Sequence, residues 1–314
     1  MDPLPPLENV GQTRLMQEAG IGLIFCSMIL ALFFIISLGL SPSFQTYNVI
    51  AVSPPDSFAH VPLEARAAIV YDLATHTTLF AKEAGAQVPL ASLTKLLTVV
   101  GALNELGPNF PITLSQNDEL VDTPRRFVPG DTLALSDLAR LTLTASLNDG
   151  ASAIATAAAE REGTTTSSML AAAASALGLE ETYALNGSGL DVSPNLAGGY
   201  GSARDVAVLA GALVDKAPEV ALATTLPKSS ARTEKGKTYE ILNTNPTVAY
   251  TPRLLLSKTG YTDLAGGNLA LVFDAGINHP VAIVVLGSTE FARFTDGEAL
   301  VAATLAHFSN IASL

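Results

Sequence analysis

The spacing of apolar residues along the chain predicts one long apolar helix, then short strands and amphipathic helices. Residues 20–40, G-I-G-L-I-F-C-S-M-I-L-A-L-F-F-I-I-S-L-G-L, form a run without any charge. Residues 67–72 and 78–82, A-A-I-V-Y-D and T-L-F-A-K, flank a polar turn and predict two strands. Across residues 92–106 apolar side chains recur at helical spacing, which predicts a helix that a Gly-Pro pair ends.

The rest of the chain repeats these two periods. Helical spacing predicts helices at residues 137–144, 150–177, 204–213 and 297–309. Apolar runs typical of strands occupy residues 254–257, 268–274 and 281–286. Because strands lie near both ends with helices between them, we expect an α/β (α+β) fold. In that fold one sheet is built from both termini and a helical subdomain is inserted.

The uncharged run at residues 20–40 predicts a membrane anchor. A helix of this length spans roughly 30 Å, the thickness of a bilayer core. A cleaved signal peptide is the alternative, but its apolar region is shorter and a small-residue cleavage site follows it closely. We therefore expect a short cytoplasmic tail at 1–19, a transmembrane anchor at 20–40, an extracytoplasmic linker at 41–64 and the main domain at 65–314.

The distribution of basic residues orients this anchor. Arg14 precedes the apolar run, and the next Lys or Arg is Arg66. The positive-inside rule then places the short tail in the cytoplasm and the main domain outside.

Charge and cysteine content exclude several kinds of function. The formal net charge of −12 argues against nucleic-acid binding, which needs a basic surface. A single cysteine, Cys26, excludes an intrachain disulfide. The sequence contains no H-E-x-x-H motif and no Cys/His cluster that would indicate zinc. Any chemistry is therefore expected from side chains that need no metal.

The stretch P-L-A-S-L-T-K-L-L-T, residues 89–98, places a lysine on an apolar helix. Ser92 and Lys95 are three residues apart, so on a helix they share a face and their hydroxyl and amine can meet. A desolvated lysine loses its proton more easily and can then accept the proton of a serine nucleophile. The alternative is a chance S-x-x-K match in which Lys95 extends to the surface.

Two further motifs favour the catalytic interpretation. Residues 146–148, S-L-N, lie between two helical patterns, and residues 258–260, K-T-G, end an apolar strand. Each motif by itself is weak, since S-x-N often caps a helix and K-T-G often marks a strand end. S-x-x-K, an S-x-N-type motif and K-T-G, in this order, are the known signature of penicillin-binding proteins and class A β-lactamases.

With these motifs the sequence resembles the low-molecular-weight penicillin-binding proteins, specifically the serine D-Ala-D-Ala carboxypeptidases. The resemblance runs from about Ala67 to Asp296 and includes P-G-D-T-L, S-L-N-D-G-A, S-G-L-D, S-A-R-D, N-T-N-P and K-T-G-Y-T-D-L-A-G-G-N-L. It implies a β-lactamase/transpeptidase-like fold, in which helices flank an antiparallel sheet and an all-α subdomain is added.

The resemblance also implies the roles of individual residues in catalysis. Ser92 corresponds to the nucleophile and Lys95 to its general base. Ser146 would relay a proton toward the leaving D-alanine, in a field set by Lys258. The backbone N–H groups of Ser92 and Tyr261 would form the oxyanion hole.

Other residues would bind the substrate. Asn148 would hold the amide on the acyl side of the peptide, and Thr259 would help to bind the terminal carboxylate. Gly260 completes the K-T-G motif of the binding site. Arg293, in A-R-F-T-D, matches an arginine that faces the substrate carboxylate in this family, although a surface arginine is an adequate alternative.

By this resemblance the protein would remove the terminal D-alanine from peptidoglycan stem peptides through an acyl-enzyme. No metal or organic cofactor is implied, and β-lactams are expected as inhibitors. The expected location is the bacterial cytoplasmic membrane, crossed once by the N-terminal helix, with the catalytic domain on the extracytoplasmic face.

A serine β-lactamase is the nearest alternative. Such enzymes hydrolyse the acyl-enzyme with water activated by a glutamate in the pattern E-x-x-L-N. Here the stretch is T-Y-A-L-N, so Thr182 stands at the glutamate position and Glu181 is one residue out of register.

A receptor and a histidine-dependent hydrolase fit the sequence less well. A non-catalytic receptor for muropeptides or β-lactams needs a cytoplasmic output domain, and only about twenty residues precede the expected anchor. A Ser-His-Asp hydrolase would need a histidine beside its nucleophile, and no G-x-S-x-G motif is present.

Overall fold

The apolar runs near the two ends of the chain pair into one sheet, as expected. This computed structural model contains a five-stranded sheet with the order β10-β11-β12-β1-β2, and all neighbouring strands are antiparallel. Its strands are β1 (Ala67–Asp72), β2 (Thr77–Lys82), β10 (Leu254–Thr262), β11 (Gly266–Asp274) and β12 (Pro280–Ser288). Strand β10, which carries K-T-G, therefore lies at an edge of the sheet.

Along the chain, short strands follow β2 and precede β10, and they form separate small sheets. They are β3 (Val88–Pro89), β4 (Pro111–Thr113), β5 (Thr132–Ala134), β6 (Tyr183–Ala184), β7 (Gly199–Gly201), β8 (Lys228–Arg232) and β9 (Thr238–Leu242). β8 and β9 form a two-stranded hairpin beside the helices.

Helices cover both faces of the main sheet. They are α1 (Thr94–Leu106), α2 (Leu135–Ala145), α3 (Asn148–Glu162), α4 (Thr166–Ala176), α5 (Ala203–Lys216), α6 (Pro218–Ala223) and α7 (Ala292–Ala312). Successive side chains of β1 alternate between the faces, so Ala67 and Ile69 join the core under α1 to α6. Ala68 and Val70 join the smaller core under α7. Burial on both faces explains why β1 is an unbroken apolar run.

Several of the expected helices differ in detail from the structure. The helix expected at 92–106 begins with a 3-10 turn, Ala91–Leu93, and α1 proper starts at Thr94. The helix expected at 150–177 is divided into α3 and α4 because Gly163 adopts a left-handed conformation, with φ of 65°, and ends α3. Helix α7 is longer than the expected 297–309.

The structure describes residues 20, 22–34, 56–116, 125–276 and 278–312. By contacts the chain divides into two units, Met1–Ser53 and Pro54–Leu314. Residues 22–34 are helical and exposed. Within the described residues, no helix combines the length and the hydropathy that a bilayer crossing demands.

Most of the N-terminal segment lies outside the described residues. This holds for the expected tail at 1–19, the last part of the anchor at 35–40 and the linker up to residue 55. The anchor and the boundaries of the tail, linker and main domain stay predictions.

Candidate active site

The turn that carries Ser92 is held in an unusual backbone conformation. Ser92 lies in the 3-10 turn ahead of α1, and Ala91 before it has a positive φ of 48°, which is rare for a residue with a side chain. Gly189 packs against this turn, and a Cβ on Gly189 would overlap the carbonyl oxygen of Ala91. The turn therefore depends on a glycine from a distant loop, and strain of this kind is common at active sites.

Lys95 lies one turn further along, in a helix that is buried throughout from Thr94 to Leu103. Its side chain is 0 % exposed. Its Nζ lies 2.8 Å from each of three oxygens: Oγ of Ser92, Oδ1 of Asn148 and the backbone oxygen of Ser188. The lysine is thus hydrogen-bonded in the interior, and it does not extend to the surface.

The surroundings of Lys95 lower its basicity. Burial disfavours the charged ammonium and lowers the pKa of Lys95 to about 7, while the nearby Asp149 carboxylate opposes this effect in part. A substantial fraction of Lys95 is therefore neutral at neutral pH, although an exposed lysine would be almost fully protonated. A neutral amine 2.8 Å from a hydroxyl can accept its proton.

A second serine–lysine pair lies near the first, since the charge of Lys95 acts on its lysine. Ser146 ends α2 in the left-handed conformation, with φ of 57°. Lys258, on β10, is 1 % exposed, and its Nζ donates to Oγ of Ser146 at 2.9 Å and to the backbone oxygen of Thr259 at 2.7 Å. Burial lowers the pKa of Lys258 well below its usual value, and the charges of Lys95 and Arg293 lower it further.

The edge strand β10 approaches the nucleophile at Gly260. A Cβ at this position would lie 3.0 Å from the oxygen of Leu90 and 3.2 Å from the backbone N of Ser92. Glycine therefore lets the strand pass close to the Ser92 turn. The next residue, Tyr261, has a side chain that is 47 % exposed.

Arg293 lies in the first turn of α7, beneath the K-T-G strand. Its Nη1 donates to the backbone oxygen of Gly260 at 2.7 Å, and the residue is only 8 % exposed. Its Nε has no hydrogen-bond partner among the described residues. Burial lowers the pKa of Arg293 from its usual value. The arginine is therefore buried against β10 and is not a surface residue, while its role toward the substrate carboxylate stays a prediction.

The structure brings the residues singled out by the three motifs close to one another. Three contributors were missed by the sequence reasoning: the backbone oxygen of Ser188, the carboxylate of Asp149 and the hydroxyl of Thr244, which lies 2.6 Å from that of Thr259. The quoted segments S-G-L-D, S-L-N-D-G-A and N-T-N-P contain these residues. These segments had already been identified as part of the family resemblance, and that was the sequence signal that could have pointed to the three residues.

The stretch T-Y-A-L-N is tied to α5. Thr182 donates its hydroxyl proton to Asp205 at 2.8 Å, and the backbone N–H of Glu181 donates to the same carboxylate at 2.9 Å. The Glu181 residue is exposed. In the described hydrogen-bond network, no carboxylate contacts Ser92 or Lys95, which fits the absence of the β-lactamase glutamate from this stretch.

Comparison with known proteins agrees with this geometry. The family model described as D-alanyl-D-alanine carboxypeptidase matches residues 50–290. A D-alanyl-D-alanine endopeptidase of Pseudomonas aeruginosa is 29 % identical over 270 residues, which cover 83 % of this chain and 83 % of that protein.

Solved structures of other proteins share the fold of this chain. Penicillin-binding protein D2 of Listeria monocytogenes in its ampicillin-bound form is 28 % identical, with a TM-score of 0.64 over 78 % of this chain and 98 % of that one. The D-alanyl-D-alanine carboxypeptidase of Mycobacterium tuberculosis, 24 % identical, shares the fold with a TM-score of 0.67 over 84 % of this chain and 96 % of that one. Because the family model matches most of its length, this chain belongs to the D-alanyl-D-alanine carboxypeptidase family of serine peptidases.

Proposed function

We propose that this protein is a serine D,D-carboxypeptidase that removes the terminal D-alanine from peptidoglycan stem peptides. The observation that carries the proposal is the contact between Oγ of Ser92 and Nζ of Lys95, at 2.8 Å, with the pKa of the buried lysine lowered to about 7. This pair supplies a nucleophile and a base at the same point.

In the acylation step, Oγ of Ser92 attacks the carbonyl carbon of the penultimate D-alanine. The hydroxyl proton passes to the lone pair of neutral Lys95. The oxyanion that forms accepts hydrogen bonds from the backbone N–H groups of Ser92 and Tyr261. The closeness of Gly260 to the backbone N of Ser92 supports this pairing.

Departure of D-alanine requires a proton on its nitrogen. Ser146 donates its hydroxyl proton as the C–N bond breaks, and it recovers a proton from Lys258, 2.9 Å away. A bound substrate carboxylate favours the protonated form of Lys258 because opposite charges attract. Lys258 regains its own proton from solvent after the product leaves.

Deacylation returns the enzyme to its starting state. Before this step Lys95 releases to solvent the proton that it took from Ser92, so its amine is neutral again. A water molecule then attacks the ester carbonyl of the acyl-enzyme, and Lys95 accepts the proton of that water. The ester C–O bond breaks and Oγ of Ser92 takes a proton back. The products are the shortened peptide and free D-alanine, with one water consumed.

Three side chains and a strand edge would position the peptide. The free edge of β10 can pair with an extended substrate. Oδ1 of Asn148 accepts from Lys95, which leaves its Nδ2 to donate to a substrate carbonyl. Thr259 and Arg293 would bind the terminal carboxylate.

The test uses penicillin and peptide in parallel. We expect intact-mass spectrometry after incubation with benzylpenicillin to show one adduct of the whole drug on wild-type protein and on the control Ser309→Ala, but none on Ser92→Ala. Release of D-alanine from a peptide ending in D-Ala-D-Ala should follow the same pattern. Rapid drug loss without an adduct would favour a β-lactamase instead. The absence of both an adduct and drug loss would contradict the proposal.

A cross-linked stem peptide, cleaved at the cross-link, is a second candidate substrate. The Pseudomonas aeruginosa relative is named an endopeptidase. Incubating the enzyme with cross-linked muropeptide dimers and separating the products would show whether monomers form alongside free D-alanine.

We further infer that residues 20–40 tether the enzyme to the bacterial cytoplasmic membrane, with residues 1–19 in the cytoplasm and the catalytic domain outside. The uncharged run and the placement of Arg14 support this. Deleting residues 1–40 should move the protein from the membrane fraction to the soluble fraction. Domain accessibility to external protease in spheroplasts tests the orientation.

A further inference from the structure

The segment N-T-N-P, residues 243–246, places a threonine against the K-T-G strand. Oγ1 of Thr244 lies 2.6 Å from Oγ1 of Thr259. The backbone N–H of Thr244 donates to the carbonyl of Thr144, in the last turn of α2, at 3.1 Å. Since α2 ends at Ser146, Thr244 links that helix to the K-T-G strand.

The asparagines on either side anchor this threonine. Nδ2 of Asn243 donates to the backbone oxygen of Thr224 at 2.6 Å. Nδ2 of Asn245 donates to Oγ of Ser257 at 2.9 Å. Both chain neighbours of Thr244 are therefore tied to the fold, and its hydroxyl is held against Thr259 by the backbone.

The contact between the two hydroxyls constrains where the Thr259 proton points. Each hydroxyl has one proton, and only one proton can lie in the 2.6 Å contact. If Thr259 donated, its oxygen would offer only lone pairs to the cleft, and these repel a carboxylate. If Thr244 donates, the proton of Thr259 is free to point into the cleft.

The second acceptor within reach of Thr244 is poor. Its Oγ1 lies 3.5 Å from the backbone oxygen of Thr144, which is at the limit of a hydrogen bond. That oxygen already accepts the backbone N–H of Thr244. The hydroxyl proton of Thr244 is therefore available to Thr259.

We propose that Thr244 is a positioning residue that donates to Oγ1 of Thr259 and so directs the Thr259 proton toward the terminal carboxylate of the substrate. This rests on the proposed function, in which Thr259 binds that carboxylate. Because a hydrogen bond to a charged acceptor is about twice as strong as a neutral one, the effect falls mainly on carboxylate-ended substrates.

The test compares two peptides that end in D-Ala-D-Ala, one with a free carboxylate and one with a carboxamide. Thr244→Val should lower kcat/KM about fivefold for the carboxylate peptide, mainly through KM, in line with the loss of the one neutral hydrogen bond that holds and polarises Oγ1 of Thr259. The carboxamide peptide should change less than about twofold, because its terminal group offers both donors and an acceptor. Thr244→Ser, which keeps the hydroxyl, should restore the carboxylate preference, and Thr164→Val, at the exposed turn between α3 and α4, serves as the control.

A second background separates this inference from the proposed function. In Thr259→Val the carboxylate preference should be lost, and adding Thr244→Val should then have no further effect. Equal loss on both peptides, no loss on either, or a full further loss in the Thr259→Val background would overturn the role of Thr244 alone. A Thr259→Val enzyme that keeps the preference would instead overturn the carboxylate-binding role of Thr259, and wild-type protein that cleaves neither peptide would overturn the proposed function.

Discussion

The surroundings of Lys95 and of Lys258 differ, although both lysines are buried in one cleft. Lys95 has three oxygen partners and the carboxylate of Asp149 nearby. Lys258 has two oxygen partners, and the charges that act on it are those of Lys95 and Arg293. Burial lowers the pKa of both, but only at Lys95 does a negative charge oppose the fall.

This contrast assigns the two lysines different tasks. A pKa near 7 suits a general base, because the group is neutral often enough to accept a proton and basic enough to hold it. Lys258 lies among positive charges, so its region favours an incoming anion such as the substrate carboxylate. In the proposed function, lysine therefore serves as a base in one region and as part of an anion site in the other.

Removal of the proposed nucleophile beside Lys95 should have the largest effect. Ser92→Ala should lower kcat for D-alanine release by at least about 10⁴-fold, because the acyl-enzyme cannot form. Residual turnover should come only from binding and the oxyanion hole. Full activity in steady-state assays of this variant would place the reaction elsewhere.

Replacing each lysine by methionine tests directly whether the two lysines have different roles. Lys95→Met removes the base and should lower kcat about 10³-fold. Lys258→Met should lower kcat less, by about tenfold to a hundredfold, because Ser146 loses its proton source, and it should also raise KM because a positive charge near the substrate carboxylate is lost. Steady-state kinetics on both variants, with exposed Lys228→Met as control, measures the split. Equal effects on kcat from the two variants would show that the lysines share one role.

Gly260→Ala should move the K-T-G strand, which carries Lys258, relative to the nucleophile beside Lys95. The new Cβ would lie 3.0–3.2 Å from backbone atoms of Leu90 and Ser92, so the strand must shift by a few tenths of an ångström. We expect acylation by benzylpenicillin to slow about tenfold, since small displacements of reacting groups are costly. A thermal unfolding curve serves as the control for stability. An unchanged acylation rate would mean that the oxyanion hole does not depend on this close approach.

The smallest expected effect is on the pH profile. Because the proposed base is neutral Lys95, kcat/KM should rise with pH through a limb near pH 7, far below the usual lysine pKa of about 10.4. Asp149 raises the pKa of Lys95, so Asp149→Asn should move this limb toward lower pH. A limb that moves toward higher pH, or one close to the usual lysine pKa, would contradict the assigned base.

Much of this arrangement was predictable because it depends on local patterns. The period of apolar residues predicted the strands at both ends and the helix that carries Lys95. The motifs predicted which side chains would meet. The 3-10 turn at Ala91–Leu93 was not predictable, since its positive φ falls on an alanine and depends on packing against Gly189.

The contacts that were missed share a physical cause. Lys95 binds the backbone oxygen of Ser188, and any residue type offers such an oxygen. The pairing of Thr244 with Thr259 joins two residues of a common type, one in a loop and one in a strand. Neither contact leaves a pattern in a single sequence.

The chemical groups, their order and the period of the elements that carry them follow from the amino-acid sequence. The tertiary structure alone decided their distances, their burial and the pKa of each lysine. A pKa depends on desolvation and on charges within a few ångströms, and those neighbours come from segments far apart in the chain. For this reason the motifs could point to Lys95 as a base, but only the folded structure gives its amine the lowered pKa that the proposed role requires.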